Sequence, residues 1–150
     1  MKRIVLENLR SAYNVGNIVR TADALWRWVI WVWYTARRDH KQVRKTSLWA
    51  EEQIPKMEFD TITDFLDYTK KENIWLIAAE LAQDSIPLTE FVYPPERGNR
   101  GALIVGNEVT GVEQETLSRV PMIVHIPMLG SKESLNVWQA AAIIMWELGK

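Results

Sequence analysis

The stretch Leu103-Ile104-Val105-Gly106-Asn107-Glu108-Val109-Thr110-Gly111-Val112 joins an apolar strand to a turn that two glycines bracket. Glycine lets a ligand or a second backbone approach the main chain closely. In open α/β sheets, ligands bind at the carboxyl ends of strands. The stretch therefore predicts either a ligand-binding loop or a plain strand–turn–helix corner. It is neither a Walker loop nor a Gly-x-Gly-x-x-Gly fingerprint, because the required Lys-Ser/Thr and the middle glycine are missing.

Two more segments place polar residues where a strand gives way to a helix. Residues 8–20 run from a polar turn into an apolar helical face, with Asn14 as the predicted helix cap and Arg20 on the polar side. Residues 125–137 run from a strand through a Pro/Gly loop to a helix that Ser134 is predicted to cap. Backbone amides at that helix start, with the side chains of Ser134 and Asn136, are suited to holding a polar ligand. Each segment alone also fits an ordinary capped helix.

Apolar strands and amphipathic helices alternate along the rest of the chain. Strands are predicted at 4–6, 28–34, 74–79, 102–105 and 122–126, and helices at 15–25, 46–52, 63–71, 113–119 and 134–148. The strand 28–34 carries bulky side chains on both faces, as in a sheet covered by helices on each side. This order predicts an α/β fold with a single doubly wound, mostly parallel sheet. Because no repeat or linker interrupts the pattern, residues 1–150 are predicted to form one domain without a separate RNA-binding domain.

Composition narrows the functional classes. The chain has 150 residues, a net charge of −1, two histidines and no cysteine. Disulfides and thiolate metal sites are therefore excluded, and no metal cofactor is expected. No apolar run approaches the roughly 18 residues that span a membrane, and the first residues do not form a signal peptide. A cytoplasmic location without a membrane partner is the resulting expectation.

One short run is strongly basic although the chain as a whole is not. Within residues 37–45, interpreted as a loop, only Asp39 opposes the basic side chains Arg37, Arg38, Lys41, Arg44 and Lys45. Such a run either binds RNA phosphates through salt-sensitive contacts or is simply a solvated loop.

Taken together and in this order, the three segments resemble the SpoU/TrmH branch of the SPOUT methyltransferases. Residues 14–20 match the family's Asn-x-Gly-x-x-x-Arg motif, and residues 106–111 match its Gly-x-Glu-x-x-Gly motif. Residues 126–128 and 134–137 match its Ile-Pro-Met and Ser-Leu-Asn-Val elements. The similarity extends over nearly the whole chain, including residues 43–48 and the alanine-rich C-terminal helix.

The resemblance implies an enzyme that transfers a methyl group from S-adenosylmethionine to a ribose 2′-hydroxyl of tRNA or rRNA. It also implies a homodimer and a C-terminal trefoil knot, which physical considerations alone would make very rare. The positions that match the family's cofactor-binding residues are Ile104, Val105, Gly106, Ile126, Met128 and Leu135. Those that match its polar active-site residues are Arg20, Asn14, Ser134, Asn136 and Glu108. Arg20 is expected to take the hydroxyl proton, to orient the hydroxyl or to hold phosphate.

Tryptophan distinguishes this sequence from the family pattern. Trp26, Trp49 and Trp138 stand where the family has small residues, and Gln139 replaces an apolar one. One interpretation is an engineered or diverged member with an altered surface, and the other is ordinary core variation. We expect that Trp26, Trp28, Trp31, Trp33, Trp49 and Trp138 do not all share one core. The alternative functions are a catalytically impaired scaffold for assembly and an RNA-binding module without catalysis.

Overall fold

A computed structural model describes residues 3–25 and 28–149. Within these described residues, seven strands form one sheet in the order β3-β2-β1-β6-β4-β7-β5, and every strand pair in it is parallel. The strands are β1 (Arg3–Glu7), β2 (Trp28–Val32), β3 (Lys56–Phe59), β4 (Trp75–Ala79), β5 (Ile86–Pro87), β6 (Gly101–Val105) and β7 (Met122–His125). The predicted α/β class with a doubly wound parallel sheet is confirmed. The trefoil knot stays a prediction, because strand pairing does not define how the chain is threaded.

Helices connect the strands and cover the sheet. They are α1 (Ala12–Leu25), α2 (Lys41–Ser47), α3 (Ala50–Gln53), α4 (Ile62–Lys71), α5 (Gln114–Leu117) and α6 (Val137–Glu147), with a 3₁₀ turn at Pro95–Arg97. Within residues 3–25 and 28–149, no helix has the length and apolar character needed to cross a membrane.

The core lies on both faces of the sheet. Along β2, Val29 and Trp31 pack into the cluster under α1 and α6, whereas Ile30 and Val32 pack into the cluster under α4. The alternation follows from the strand period of two residues. It confirms that this strand is apolar on both faces because helices cover both.

Two helix caps differ from the sequence-based predictions. Asn14 lies inside α1, and Ser11 is the capping residue, since its Oγ accepts a hydrogen bond from the Asn14 amide at 3.3 Å. Ser134 likewise precedes the cap of α6, where Asn136 Oδ1 accepts from the Trp138 amide at 3.2 Å. Each helix has two short polar residues close to its start, and either of them has the chemistry of a cap.

The segment from residue 37 to residue 59 departs most from prediction. The predicted basic loop is helical from Lys41 onwards, because His40 Nδ1 accepts from the Gln42 amide at 3.1 Å and caps α2. The predicted helix 46–52 is divided by Leu48 and Trp49, which have φ of 53° and 72°. The edge strands β3 and β5 were not predicted, since Lys-Met-Glu-Phe and Ile-Pro contain no run of three apolar residues of the kind that marked the other strands.

The tryptophans occupy different environments. Trp31 is 5% exposed in the core, whereas Trp33 is 50% and Trp49 is 61% exposed. Trp33 is exposed because β2 ends at Val32, two residues earlier than predicted. Trp138 packs partly against the core, and Trp26 lies outside the described residues. The prediction that these side chains do not share one core is confirmed.

Candidate active site

A cleft of about 610 Å³ opens at the carboxyl edge of the sheet, where β4, β6 and β7 end. Its walls are the loops that follow these strands and the start of α6. The volume lies in the range of small-molecule sites, and the position is the one that parallel sheets use for ligands. We call it the central cleft.

Most of the sequence-predicted site residues meet in the central cleft. Its lining includes Val105, Gly106, Ile126, Met128, Leu135, Asn14, Glu108, Ser134 and Asn136. Of the predicted cofactor-binding and catalytic residues, two lie elsewhere. Ile104 is fully buried in the core cluster under α4 and does not line the cleft, because adjacent strand residues point to opposite faces. Arg20 is exposed on α1 and is also absent from the lining.

Glu108 ties the start of α1 to the loop after β6. Its carboxylate accepts hydrogen bonds from the Ser11 amide at 3.0 Å, the Arg10 amide at 3.3 Å and Asn14 Nδ2 at 3.1 Å. Burial raises the pKa of Glu108, but the hydrogen bonds from Asn14 and the nearby backbone amides outweigh it and hold the pKa below its ordinary value. A carboxylate that stays ionised is a poor proton acceptor near neutral pH. The geometry therefore makes Glu108 an anchor for the cleft wall.

Glu80, which the sequence analysis did not single out, holds the same loop from the other side. Glu80 Oε2 accepts from the Val112 amide at 2.9 Å. Gly111 has φ +73°, and a Cβ there would lie 2.1 Å from Glu80 Oε2. A Cβ on Gly106 would lie 2.3 Å from the Gly111 carbonyl carbon. The two bracketing glycines are therefore required for the loop to close on itself and on Glu80.

Glu7 supports this loop from beneath. It is 1% exposed; one carboxylate oxygen accepts from the Glu113 amide at 3.0 Å and the other from the Thr116 hydroxyl. Burial is the largest influence and raises the pKa of Glu7, although these hydrogen bonds act against it. Their position in the sequence could have indicated both carboxylates, since Glu7 and Glu80 each lie at the carboxyl end of an apolar strand.

A histidine and a serine meet at the wall that β7 contributes. The Ser85 hydroxyl donates to the Ala82 carbonyl oxygen at 2.6 Å, and Ser85 Oγ lies 2.9 Å from His125 Nδ1. Since the hydroxyl proton is already used, His125 Nδ1 is assigned as the donor to Ser85 Oγ. In a neutral imidazole, Nε2 is then the accepting nitrogen.

Carboxylates from outside residues 37–45 pair with arginines of the basic run. Arg38 Nε lies 3.0 Å from Glu58 Oε1, and an Arg44 terminal nitrogen lies 3.6 Å from Glu52 Oε1. Asp39 is the one acidic residue within the run itself, but acidic residues of α3 and β3 also fold against these cations. Lys41 and Lys45 are exposed.

Comparison with known proteins identifies the relatives of this chain. The model of the SpoU rRNA Methylase family matches residues 1–146. The tRNA (guanosine(18)-2′-O)-methyltransferase of Escherichia coli strain K12 is 26% identical over 147 residues, which are 96% of this chain and 61% of that protein. A 23S rRNA (guanosine-2′-O-)-methyltransferase of Coxiella burnetii is 29% identical over 150 residues, 97% of this chain and 56% of that protein.

A solved structure shows the same architecture. The AdoMet-bound rRNA methyltransferase from Sinorhizobium meliloti superposes with a TM-score of 0.89 at 25% identity, over 98% of this chain and 55% of that one. The chain thus spans between 55% and 61% of the length of these three proteins.

Proposed function

We propose, from the premise that this chain belongs to the SpoU rRNA methylase family, that it methylates a ribose 2′-hydroxyl of tRNA or rRNA with S-adenosylmethionine. The observation that carries the proposal is the central cleft. It gathers residues from three separate motifs at one edge of the sheet. An enzyme of this kind acts where tRNA and ribosomes are, and we infer a cytoplasmic location.

The central cleft fits S-adenosylmethionine by size and by chemistry. Its lining combines apolar side chains such as Val105 and Ile126 with the carboxylates of Glu80 and Glu133. Apolar walls suit the adenine ring, and carboxylates suit a ligand that carries an ammonium and a sulfonium charge. When bound, S-adenosylmethionine supplies an electrophilic methyl group.

The polar residues of the central cleft then have distinct tasks. Asn136 caps α6 through its side chain, which fixes that side chain at the cleft wall. We assign Ser134 and Asn136 to orienting the ribose, because their short polar groups can accept and donate hydrogen bonds. Asn14 donates to Glu108, so its amide is positioned before substrate arrives. Preorganised groups of this kind hold the reacting oxygen in line for transfer.

Arg20 calls for a different arrangement, since it does not line the cleft of its own chain. We infer a homodimer in which Arg20 serves the partner's cleft, holding RNA phosphate or orienting the 2′-hydroxyl. Two exposed apolar side chains on α6, Ile143 at 44% and Trp146 at 62%, give that helix a surface that a second copy can cover.

RNA binding is assigned to the basic run, with Lys41 and Lys45 as the least neutralised members. Each phosphate contact releases counterions, so affinity falls with salt. Lys41→Gln/Lys45→Gln should weaken RNA binding and reduce the slope of log affinity against log salt by up to about two. Lys70→Gln/Lys71→Gln on α4 is the matched control. An unchanged slope in the first double variant would mean that the run is only a solvated surface.

Titration calorimetry with S-adenosylmethionine tests the proposed cofactor site. Ile126 and Leu129 lie in one loop, but Ile126 lines the central cleft whereas Leu129 is 99% exposed. Ile126→Ala should weaken binding by about tenfold, the equivalent of roughly 1.4 kcal/mol of lost apolar contact, and Leu129→Ala should leave it unchanged. Absence of binding at millimolar cofactor would refute the site. If RNA still bound, the chain would be an RNA-binding module without catalysis.

A further inference from the structure

A second, smaller pocket lies at the same edge of the sheet, where β2 and β3 end. It has a volume of about 250 Å³, and we call it the arginine pocket. Its lining is Trp31, Val32, Trp33, Thr35, Arg37, Arg38, Asp39, Arg44, Glu58, Phe59 and Asp60. Only β1 separates β2 from β6, so the pocket and the central cleft begin roughly 10 Å apart at strand spacing.

The charges of the arginine pocket do not suit a phosphate. Its lining holds three arginines and three acidic residues. Arg38 is already paired with Glu58 at 3.0 Å, and Arg37 lies 3.4 Å from Asp39. An anion would meet carboxylates as well as guanidinium groups. A neutral ligand whose edge carries both donors and acceptors suits such paired walls better, and nucleobases have edges of this kind.

A buried donor in the pocket's lining also calls for an acceptor. Within the part of the chain that the structure describes, Trp31 Nε1 is buried without a hydrogen-bond partner, whereas Arg44 Nε faces the Glu51 carboxylate at 3.9 Å. Leaving a buried donor unsatisfied is costly, so most such groups are paired with protein, water or ligand. A base carbonyl oxygen that reached Trp31 Nε1 would supply the missing acceptor.

An exposed aromatic surface adjoins the pocket. Trp33 is 50% and Tyr34 is 58% exposed, and their ring centroids are 4.3 Å apart. Arg44, which also lines the pocket, has its guanidinium 5.6 Å from the centre of the Trp49 ring. Proteins that bind unpaired RNA stack bases on such aromatic faces and on arginine planes.

We propose that the arginine pocket binds one unpaired nucleobase of the RNA substrate, stacked on Trp33 and hydrogen-bonded by the paired arginines and carboxylates. The proposal rests on the proposed function, because it gives the RNA a second contact beside the central cleft. It selects RNA with an unpaired nucleotide near the methylated one. A paired base cannot enter, since its edge and both of its faces are occupied.

Fluorescence anisotropy with two labelled RNAs tests the proposal: a stem–loop with an unpaired loop and a fully paired duplex of equal length. We expect the unaltered protein to prefer the stem–loop. Trp33→Ala should weaken stem–loop binding roughly tenfold or more, the effect of losing one base stack, whereas Trp33→Phe should retain it. Because a base rather than a phosphate is lost, the salt slope should not change with Trp33→Ala.

Arg38→Gln provides a second variant, with Arg119→Gln as its control. Arg38 and Arg119 have side chains 41% and 46% exposed, and each is paired with two carboxylates. Only Arg38→Gln should reduce the stem–loop preference. A stem–loop preference that survives both Trp33→Ala and Arg38→Gln overturns the proposal. The proposal is also overturned if these variants change the oligomeric state but leave RNA binding unchanged. Methyl transfer with S-adenosylmethionine, measured separately, reports whether the proposed function itself has failed.

Discussion

Replacing Trp49 by glycine tests how this chain tolerates a bulky residue in a left-handed backbone conformation. Trp49 has φ 72° and ψ 6° at the start of α3 and makes no capping hydrogen bond with its side chain. For residues with a Cβ this conformation costs roughly 1–2 kcal/mol that glycine does not incur. The indole is 61% exposed, and its contact with Arg44 stabilises the fold by about 0.5–1 kcal/mol.

Comparing two variants isolates the backbone contribution to the free energy of unfolding. Trp49→Ala and Trp49→Gly both lose the contact with Arg44, but only the glycine variant loses the strain. We therefore expect Trp49→Gly to be more stable than Trp49→Ala by about 1 kcal/mol. For a domain of this size, that difference raises the melting temperature by roughly 2–4 °C.

Trp146 supplies the control because it is 62% exposed but lies within α6. At this helical position glycine should be less stable than alanine, by up to about 1 kcal/mol. Urea denaturation of the four variants gives the free energies of unfolding. The same order of stability at both positions, with alanine above glycine, would refute the argument from strain.

Three further predictions concern residues that line the central cleft, support its loops or are proposed to act in it. Because the pKa of Glu7 is raised in the folded state, its ionisation opposes folding, and stability present below the unfolded pKa is lost as pH rises through the folded value. Between pH 4 and pH 8, the free energy of unfolding measured with urea should therefore fall less in Glu7→Gln than in the unaltered chain. An equal fall in both proteins would contradict the direction of the shift. The lowered pKa of Glu108 acts in the opposite sense, with stability present above the unfolded pKa and lost as pH falls through the folded value. In Glu108→Gln the melting temperature should therefore fall less on acidification, and S-adenosylmethionine should bind more weakly. An unchanged fall of the melting temperature would show that the carboxylate is not an anchor. Finally, Arg20→Ala and Asn136→Ala should each abolish methyl transfer, and mixing the two should restore part of it, since one cleft of a mixed dimer has both residues intact. No recovery in a mixture shown to exchange subunits would place Arg20 in its own chain's reaction or outside the mechanism.

The sequence predicted the strands of the sheet that have consecutive apolar residues. The apolar runs that became β1, β2, β4, β6 and β7 were recognisable because a central parallel strand is apolar on both faces. The edge strands β3 and β5 were not, because charged residues interrupt the first and the second is only Ile-Pro. Helix caps were misplaced by two or three residues, since several neighbouring side chains had the chemistry of a cap.

The central cleft was predictable for a different reason. Asn14, Glu108 and Asn136 were expected to meet because they match the active-site positions of the family that the sequence resembles. Parallel strands that end together at one edge of the sheet give the physical reason. Contacts between distant segments were not predictable from pattern. The pairing of Arg38 with Glu58 and the support that Glu7 gives to Thr116 depend on the fold, and no local feature of the sequence indicates either partner.

The strand order also dictates when the sheet can be completed during folding. β1 lies at its middle, with Arg3 opposite Trp28 on one side and opposite Ala102 on the other. The first partner follows β1 after a single helix, but the second emerges from the ribosome roughly five to twenty seconds after β1 at ordinary rates of synthesis. Until then one edge of β1 has unpaired amides and carbonyls, and the loop that Glu7 and Glu108 anchor does not exist. We therefore expect the pairing of β1 with β6 to form late and slowly, as non-local strand pairs do. Over that interval the nascent chain needs protection from aggregation.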